Sequence, residues 1–167
     1  MDQTINQEYS LRPIELKYNL QVKKLIVDVM TTFGCVGSGY SSSDPELDDM
    51  YNAYAGSLSA FFVVVDSKDI VMGCGGIAPL IGSDTDICEL RKMYFYPEIR
   101  GLGLGSRLMA ICLSEAKKYG FKKCYIETIA DMDKARILYE KSGFTSIPES
   151  LGATGHTGCD NYMIKNL

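Results

Sequence analysis

The stretch Arg100-Gly101-Leu102-Gly103-Leu104-Gly105-Ser106 constrains this chain more than any other segment. It follows an apolar run, Ile87 to Tyr96, that Pro97 ends because proline cannot donate to a β-ladder. It precedes an apolar stripe at helical spacing, Leu104, Leu108, Cys112, Ala116 and Tyr119, closed by Lys117, Lys118 and a Gly120 stop. A strand, a glycine loop and a helix N-terminus in that order make a site for an anion. The first N–H groups of a helix have no intrahelical acceptor, and glycines let that backbone approach a phosphate without Cβ clashes. Arg100 adds a fixed charge. A tight strand-to-helix turn that binds nothing is the plainer alternative. A P-loop would need Gly-Lys-Ser/Thr at the loop's end, and a dinucleotide fingerprint would need its last glycine one residue later in an early βαβ unit. Neither pattern is present.

Around this segment the pattern predicts a strand over Tyr9 to Leu16, then a helix carrying Leu20, Leu25, Ile26, Val29 and Met30 up to Phe33. Gly34 to Ser43 reads as a mobile loop, and Asp44-Pro45-Glu46 as the N-cap and acidic first turn of a short helix to about Tyr54. Ala60 to Val65 and Ile70 to Leu80 read as a hairpin whose second strand is bare, with Gly73, Gly75 and Gly76. After the strand and helix already described come a strand Lys123 to Ile129 and a helix Asp133 to Ser142. Short strands at Phe144 to Ile147 and Asn161 to Lys165 complete the order. The expected fold is α/β (α+β), one domain over 1–167 built on a mixed sheet.

With 167 residues and an apolar share of 46%, the chain supplies one continuous core. A net charge of -4 argues against nucleic acid or an anionic membrane as the main partner, though it leaves room for a local basic site. Met1 to Gln7 lacks the pattern of a signal peptide and no apolar run approaches the ~20 residues of a membrane span, so a cytoplasmic location is expected. The six cysteines form no CxxC pair and His156 is the single histidine. No metal is expected from that set.

Three segments together resemble the GNAT superfamily of acyl-CoA-dependent N-acyltransferases: Glu89-Leu90-Arg91-Lys92-Met93-Tyr94-Phe95-Tyr96-Pro97, the Arg100 to Gly105 loop, and Ala135-Arg136-Ile137-Leu138-Tyr139-Glu140-Lys141-Ser142-Gly143-Phe144. The resemblance is close in the C-terminal half and extends to the N-terminal half only in the order of elements. It implies a mostly antiparallel sheet of six to seven strands with about four helices, splayed to accept acetyl-CoA. It also implies cofactor contacts from Met93, Tyr94 and Phe95, from Arg100, Gly101, Leu102, Gly103, Leu104, Gly105 and Ser106, and from Lys141. The family often has asparagine six residues before the tyrosine; here Asp133 stands there, and an N-cap is its simpler role.

The implied reaction is transfer of an acetyl group to an amine, which must shed a proton first because free alkylamines have a pKa of ~10.4. Glu89 is the candidate acceptor of that proton, with pairing to Arg91 or a lysine as the equal alternative. Tyr139 is the candidate donor to the departing thiolate, with core packing as its alternative. A backbone N–H near Met93 or Tyr94 would hold the thioester oxygen. Tyr40, His156 and Asp160 are expected to line the acceptor side, closed by Gly34 to Ser43 and Pro148 to Asp160. A Cys159–His156 nucleophile pair is conceivable, but a structural role is expected for Cys159. The expected partners are acetyl-CoA and a small amine, and the chain is compatible with a homodimer. Acetylation of a protein lysine or N-terminus, and a non-catalytic acyl-CoA sensor, stand as competing readings.

Overall fold

The computed structural model describes residues 3–4 and 8–167; the rest of the polar leading stretch lies outside the described residues. Among the described residues a single sheet of eight strands has the order β1-β2-β3-β4-β5-β6-β8-β7. The strands are β1 (Gln3–Thr4), β2 (Tyr9–Pro13), β3 (Ala60–Asp66), β4 (Val71–Pro79), β5 (Ile87–Phe95), β6 (Lys123–Thr128), β7 (Thr145–Ile147) and β8 (Asn161–Asn166). Neighbours are antiparallel except β5 and β6. Seven of these strands match the expected number, and the two-residue β1 extends the sheet beyond it.

The apolar run of β3 is continuous because both faces are covered. Phe62 and Val64 face one core, while Phe61, Val63 and Val65 face the other. The first core is closed by α3 (Leu104–Lys118), which buries the expected stripe Leu104, Leu108, Cys112 and Ala116. Across the sheet, α1 (Asn19–Thr32) buries Val22, Leu25, Ile26, Val29 and Met30. Leu20, expected in that stripe, is 82% exposed. It sits two residues before Val22, about 200° around the helix from the buried face.

Two further expectations are corrected. Pro13 ends the first strand, and Leu16–Tyr18 is a 3-10 turn. The short second helix is broken in two: a 3-10 turn, Pro45–Asp48, and then α2 (Met50–Ala53). Asp49 makes the break, since its carboxylate caps α2 by accepting from Asn52 N–H at 3.2 Å. The remaining helix is α4 (Asp133–Lys141). Among the described residues no helix is long and apolar enough to cross a membrane.

The bare strand β4 has a packing reason. A Cβ on Gly76 would fall inside contact distance of the Ala60 carbonyl oxygen and the Phe61 ring. Opposite it, the β4–β5 register slips between Cys74 and Gly76, and Lys92 adopts φ +53. One extra residue is thereby accommodated in β5 as a bulge.

Candidate active site

The parallel pairing of β5 with β6 lasts three residues, Ile87, Cys88 and Glu89 against Lys123, Cys124 and Tyr125. Beyond it the strands diverge, because Ile126, Glu127 and Thr128 pair only with β8. The edge of β5 from the bulge to Phe95 is therefore left facing open space. There lies a cavity of about 650 Å³, walled by Met93, Tyr94 and Phe95 and by Tyr139 and Lys141 of α4. Arg100, Gly101, Gly103, Gly105 and Ser106 floor its far end. Leu102 and Leu104 are not in that lining: Leu102 is exposed and Leu104 is buried in the core beneath the loop.

The loop owes its shape to Gly101 and Gly103, both at φ +78, a left-handed conformation that suits glycine. Gly103 is the N-cap of α3 and offers no side chain to the first-turn N–H groups. A Cβ at Gly101 or Gly103 would project into open space. The Arg100 guanidinium turns back, donating through Nε and Nη2 to the Phe95 carbonyl at 3.0 and 2.8 Å. That contact braces the loop against the strand end. Asp133 is not the N-cap of α4; Met132 is, and Asp133 accepts from Arg136 at 3.1 Å within the first turn.

Tyr139 stands where two cavities meet. It lines the long groove and also a second cavity of about 30 Å³, shared with Ser41, Lys92, Glu127 and Cys159. Its ring packs edge-on against Phe144 at 6.2 Å. Its hydroxyl has no hydrogen-bond partner among the described residues, and burial pushes its pKa up, so it is a neutral donor. Cys159 is likewise pushed up, to about 12, by burial first and then by Glu127. It stays a thiol at neutral pH, which fits a structural role better than a nucleophilic one.

Behind the small cavity lies a network that sequence reading assembled only in part. Lys92, its side chain 2% exposed, contacts Asp44 Oδ2 at 2.6 Å and Glu46 Oε1 at 2.5 Å. Glu46 also accepts from the Tyr54 hydroxyl at 2.9 Å. His156 Nε2 meets both Asp44 oxygens, Oδ1 at 3.0 Å and Oδ2 at 2.9 Å, so this carboxylate serves the site and not the helix start. His156 Nδ1 lies 4.0 Å from Glu127 Oε2. Glu127 in turn accepts from Tyr125 at 2.7 Å and Thr154 at 2.6 Å. Glu89 is buried and takes Arg91 Nε at 2.8 Å.

The titrations follow from these contacts. The hydrogen bond to Asp44 raises the His156 pKa against the opposing effect of burial. Asp44 ends below its usual range: burial raises it, but His156 and Lys92 together outweigh that. Burial raises Glu89, offset in part by Arg91, which favours a carboxylate able to hold a proton.

The three residues expected on the acceptor side divide. His156 joins the network. The Tyr40 ring packs over Gly158, in a loop tied by Gly158 N–H donating to the Gly39 carbonyl at 3.1 Å. Asp160 is engaged elsewhere, accepting from Ala130 N–H at 2.8 Å. Asp44, Glu46, Lys92, Glu127 and Thr154 carry no site role in the sequence reading, where Asp44 and Glu46 mark a helix start. A charged residue inside an apolar strand, such as Glu127 between Ile126 and Thr128, was the available signal.

Residues 26–144 match the family model described as Acetyltransferase (GNAT) family. The uncharacterized N-acetyltransferase YjgM of Escherichia coli (strain K12) is 41% identical over 168 residues, covering 100% of both chains. A GNAT-family acetyltransferase of Staphylococcus aureus MU50 has the same fold, with a TM-score of 0.84 at 17% identity over 95% of this chain and 98% of that one. A GNAT superfamily phosphinothricin acetyltransferase of Sinorhizobium meliloti, solved in complex with AcCoA, gives a TM-score of 0.74 at 17% identity, over 95% of this chain and 88% of that one. With the splayed sheet, the glycine loop and Tyr139 disposed around one groove, these matches make the chain an acyltransferase that belongs to the GNAT family of N-acetyltransferases.

Proposed function

We propose that this acyltransferase moves the acetyl group of acetyl-CoA to a primary amine of a small molecule or amino acid, by direct attack with both substrates bound. The observation that carries the reading is the unpartnered Tyr139 hydroxyl at the junction of a long groove and a small cavity that Lys92 and Glu127 help to line. The groove suits acetyl-CoA on the chain's own terms. An unpaired strand edge accepts an extended amide-bearing arm, as an added strand would. The Gly101 to Ser106 backbone at the start of α3 offers N–H groups to a pyrophosphate, and Lys141 brings a cation to the same wall. In the Sinorhizobium relative, AcCoA is the bound molecule.

In this reading the bulge at Lys92 frees a backbone N–H of Met93 or Tyr94 to hold the thioester oxygen. The amine nitrogen forms its bond to the carbonyl carbon as the C–S bond breaks. Tyr139 gives its proton to the departing sulfur, and Glu89 receives the proton the nitrogen sheds as the amide forms. The 30 Å³ cavity admits an amine head and little more. The tie between the Gly39 loop and Gly158, which holds two acceptor-side segments together, favours a small acceptor over a protein lysine. We take the 167 residues to act as one domain in the cytoplasm.

The test is direct. Acetyl-CoA should raise the melting temperature while NAD and ATP do so much less, and a panel of small amines should release CoA. Equal shifts with all three nucleotides, or none with acetyl-CoA, would remove the reading.

A further inference from the structure

The carboxylates around His156 outnumber the permanent cations that meet them. Asp44, Glu46, Glu89 and Glu127 face Lys92 and Arg91, and His156 adds a third positive charge only when protonated. Uncompensated buried charge of one sign is costly, so the cluster has room for one more cation.

Its dimensions decide which kind. One acceptor atom each from Glu89, Glu127 and His156 lies within 4.8 Å of the other two. The Nδ1 to Oε2 separation of 4.0 Å would force an angle of roughly 145° on a metal ion with bonds of about 2.1 Å, far from tetrahedral or octahedral. Around an ammonium nitrogen with hydrogen bonds of about 2.8 Å, tetrahedrally placed acceptors stand about 4.6 Å apart. A primary ammonium has three N–H groups, and the cluster offers three acceptors.

Those acceptors are available. Arg91 occupies Glu89 Oε2 and leaves Oε1 without a donor among the described residues. Asp44 engages His156 Nε2, so a neutral ring keeps its hydrogen there and its lone pair on Nδ1. Glu127 Oε2 takes the Thr154 hydroxyl and retains a second lone pair.

We propose that Glu89, Glu127 and His156 form a three-acceptor receptor for the primary ammonium of the acceptor substrate, with Asp44 as the positioning residue that fixes the imidazole. This rests on the amine acetylation proposed above and names how the amine is held and selected. Glu127 also lines the small cavity beside Tyr139, which joins the receptor to the reaction centre. One N–H bond breaks as its proton passes to Nδ1, and the released electron pair becomes the nucleophile. The second proton goes to Glu89 as the C–N bond forms and the C–S bond breaks. When the imidazole is protonated, its Nδ1 proton takes the place of the ammonium, so proton and substrate compete. The groups facing His156 in that competition are Asp44, Glu89, Lys92 and Glu127, with Glu46 and Arg91 behind them.

The experiment uses the full chain and a panel of primary amines, from methylamine to 1,4-diaminobutane and amino-acid amides, each beside its N-methyl analogue. Glu127→Gln should raise KM for the best amine at least about tenfold, with KM for acetyl-CoA within about twofold. The same variant should shrink the preference for primary over N-methylated amine. His156→Gln should abolish the acidic limb of kcat/KM for the amine. If Glu127→Gln does not fold, Glu127→Asp, which keeps the charge and withdraws it, carries the same expectation for amine KM. Unchanged amine KM in the folded Glu127 variant would overturn the receptor and leave acetylation standing, as would an acidic limb that survives His156→Gln. Activity lost to EDTA and restored by zinc would overturn it in favour of a metal. Absence of CoA release with every amine in the panel would overturn the receptor and the proposed reaction together.

Discussion

Tyr139→Phe is expected to leave the fold and acetyl-CoA affinity nearly unchanged while turnover falls by ~10²-fold or more, the scale of one general acid. The ring keeps its edge-on packing against Phe144, and the lost hydroxyl made no hydrogen bond to another described residue. The melting curve should therefore stay close to that of the wild type. The loss should shrink when the leaving thiol is made more acidic, since a better leaving group needs less help. Full turnover in the Phe variant would reduce Tyr139 to a packing residue. Because burial holds the Tyr139 pKa above its ordinary value, no loss of rate from its ionisation should be seen on the alkaline side until well past the ordinary tyrosine range near ~10.

Lys92→Met carries the largest expected cost in stability. It leaves Asp44 and Glu46 facing each other without the ammonium that bridges them at 2.6 and 2.5 Å. Breaking a buried ion pair by removing one partner costs about 3–5 kcal/mol. The two carboxylates remain 22% and 25% exposed, which places the expectation near ~3 kcal/mol, or a melting temperature lower by roughly 10 °C. The deficit should narrow in acid, because protonation removes the negative charge that the lysine no longer balances. Urea titrations of both proteins at neutral and acid pH would check it; equal stability at neutral pH would mean that water replaces the lysine at no cost.

The groove was legible in the sequence because its parts are local. Pro97, Arg100 to Ser106 and the α3 stripe lie within one stretch, and each has a short-range physical meaning that survives into the fold. The acceptor side was not, because it is assembled from distant segments. Asp44 looked like a helix N-cap and Lys92 like an ordinary strand residue; only tertiary packing brings them together 48 positions apart. The carboxylate of Asp160 lies close in sequence to His156 yet is committed to Ala130, a reminder that proximity along a glycine-containing loop fixes no geometry. Leu20 failed for the opposite reason: its apolarity suggested burial, and the helical phase alone sends it to solvent.

Only three residue pairs join β5 to β6, so the sheet's backbone ladders fall into two groups. Strands β1 to β5 share their own antiparallel ladders, while β6, β7 and β8 hold one another. Few backbone hydrogen bonds cross the seam, so local opening there is expected at a free energy below that of global unfolding. In native-state hydrogen exchange the amides of β6 and β8 should exchange together, earlier than those of β3 and β4. A molecule bound along the free edge of β5 would slow that opening, acting as a clasp across the seam.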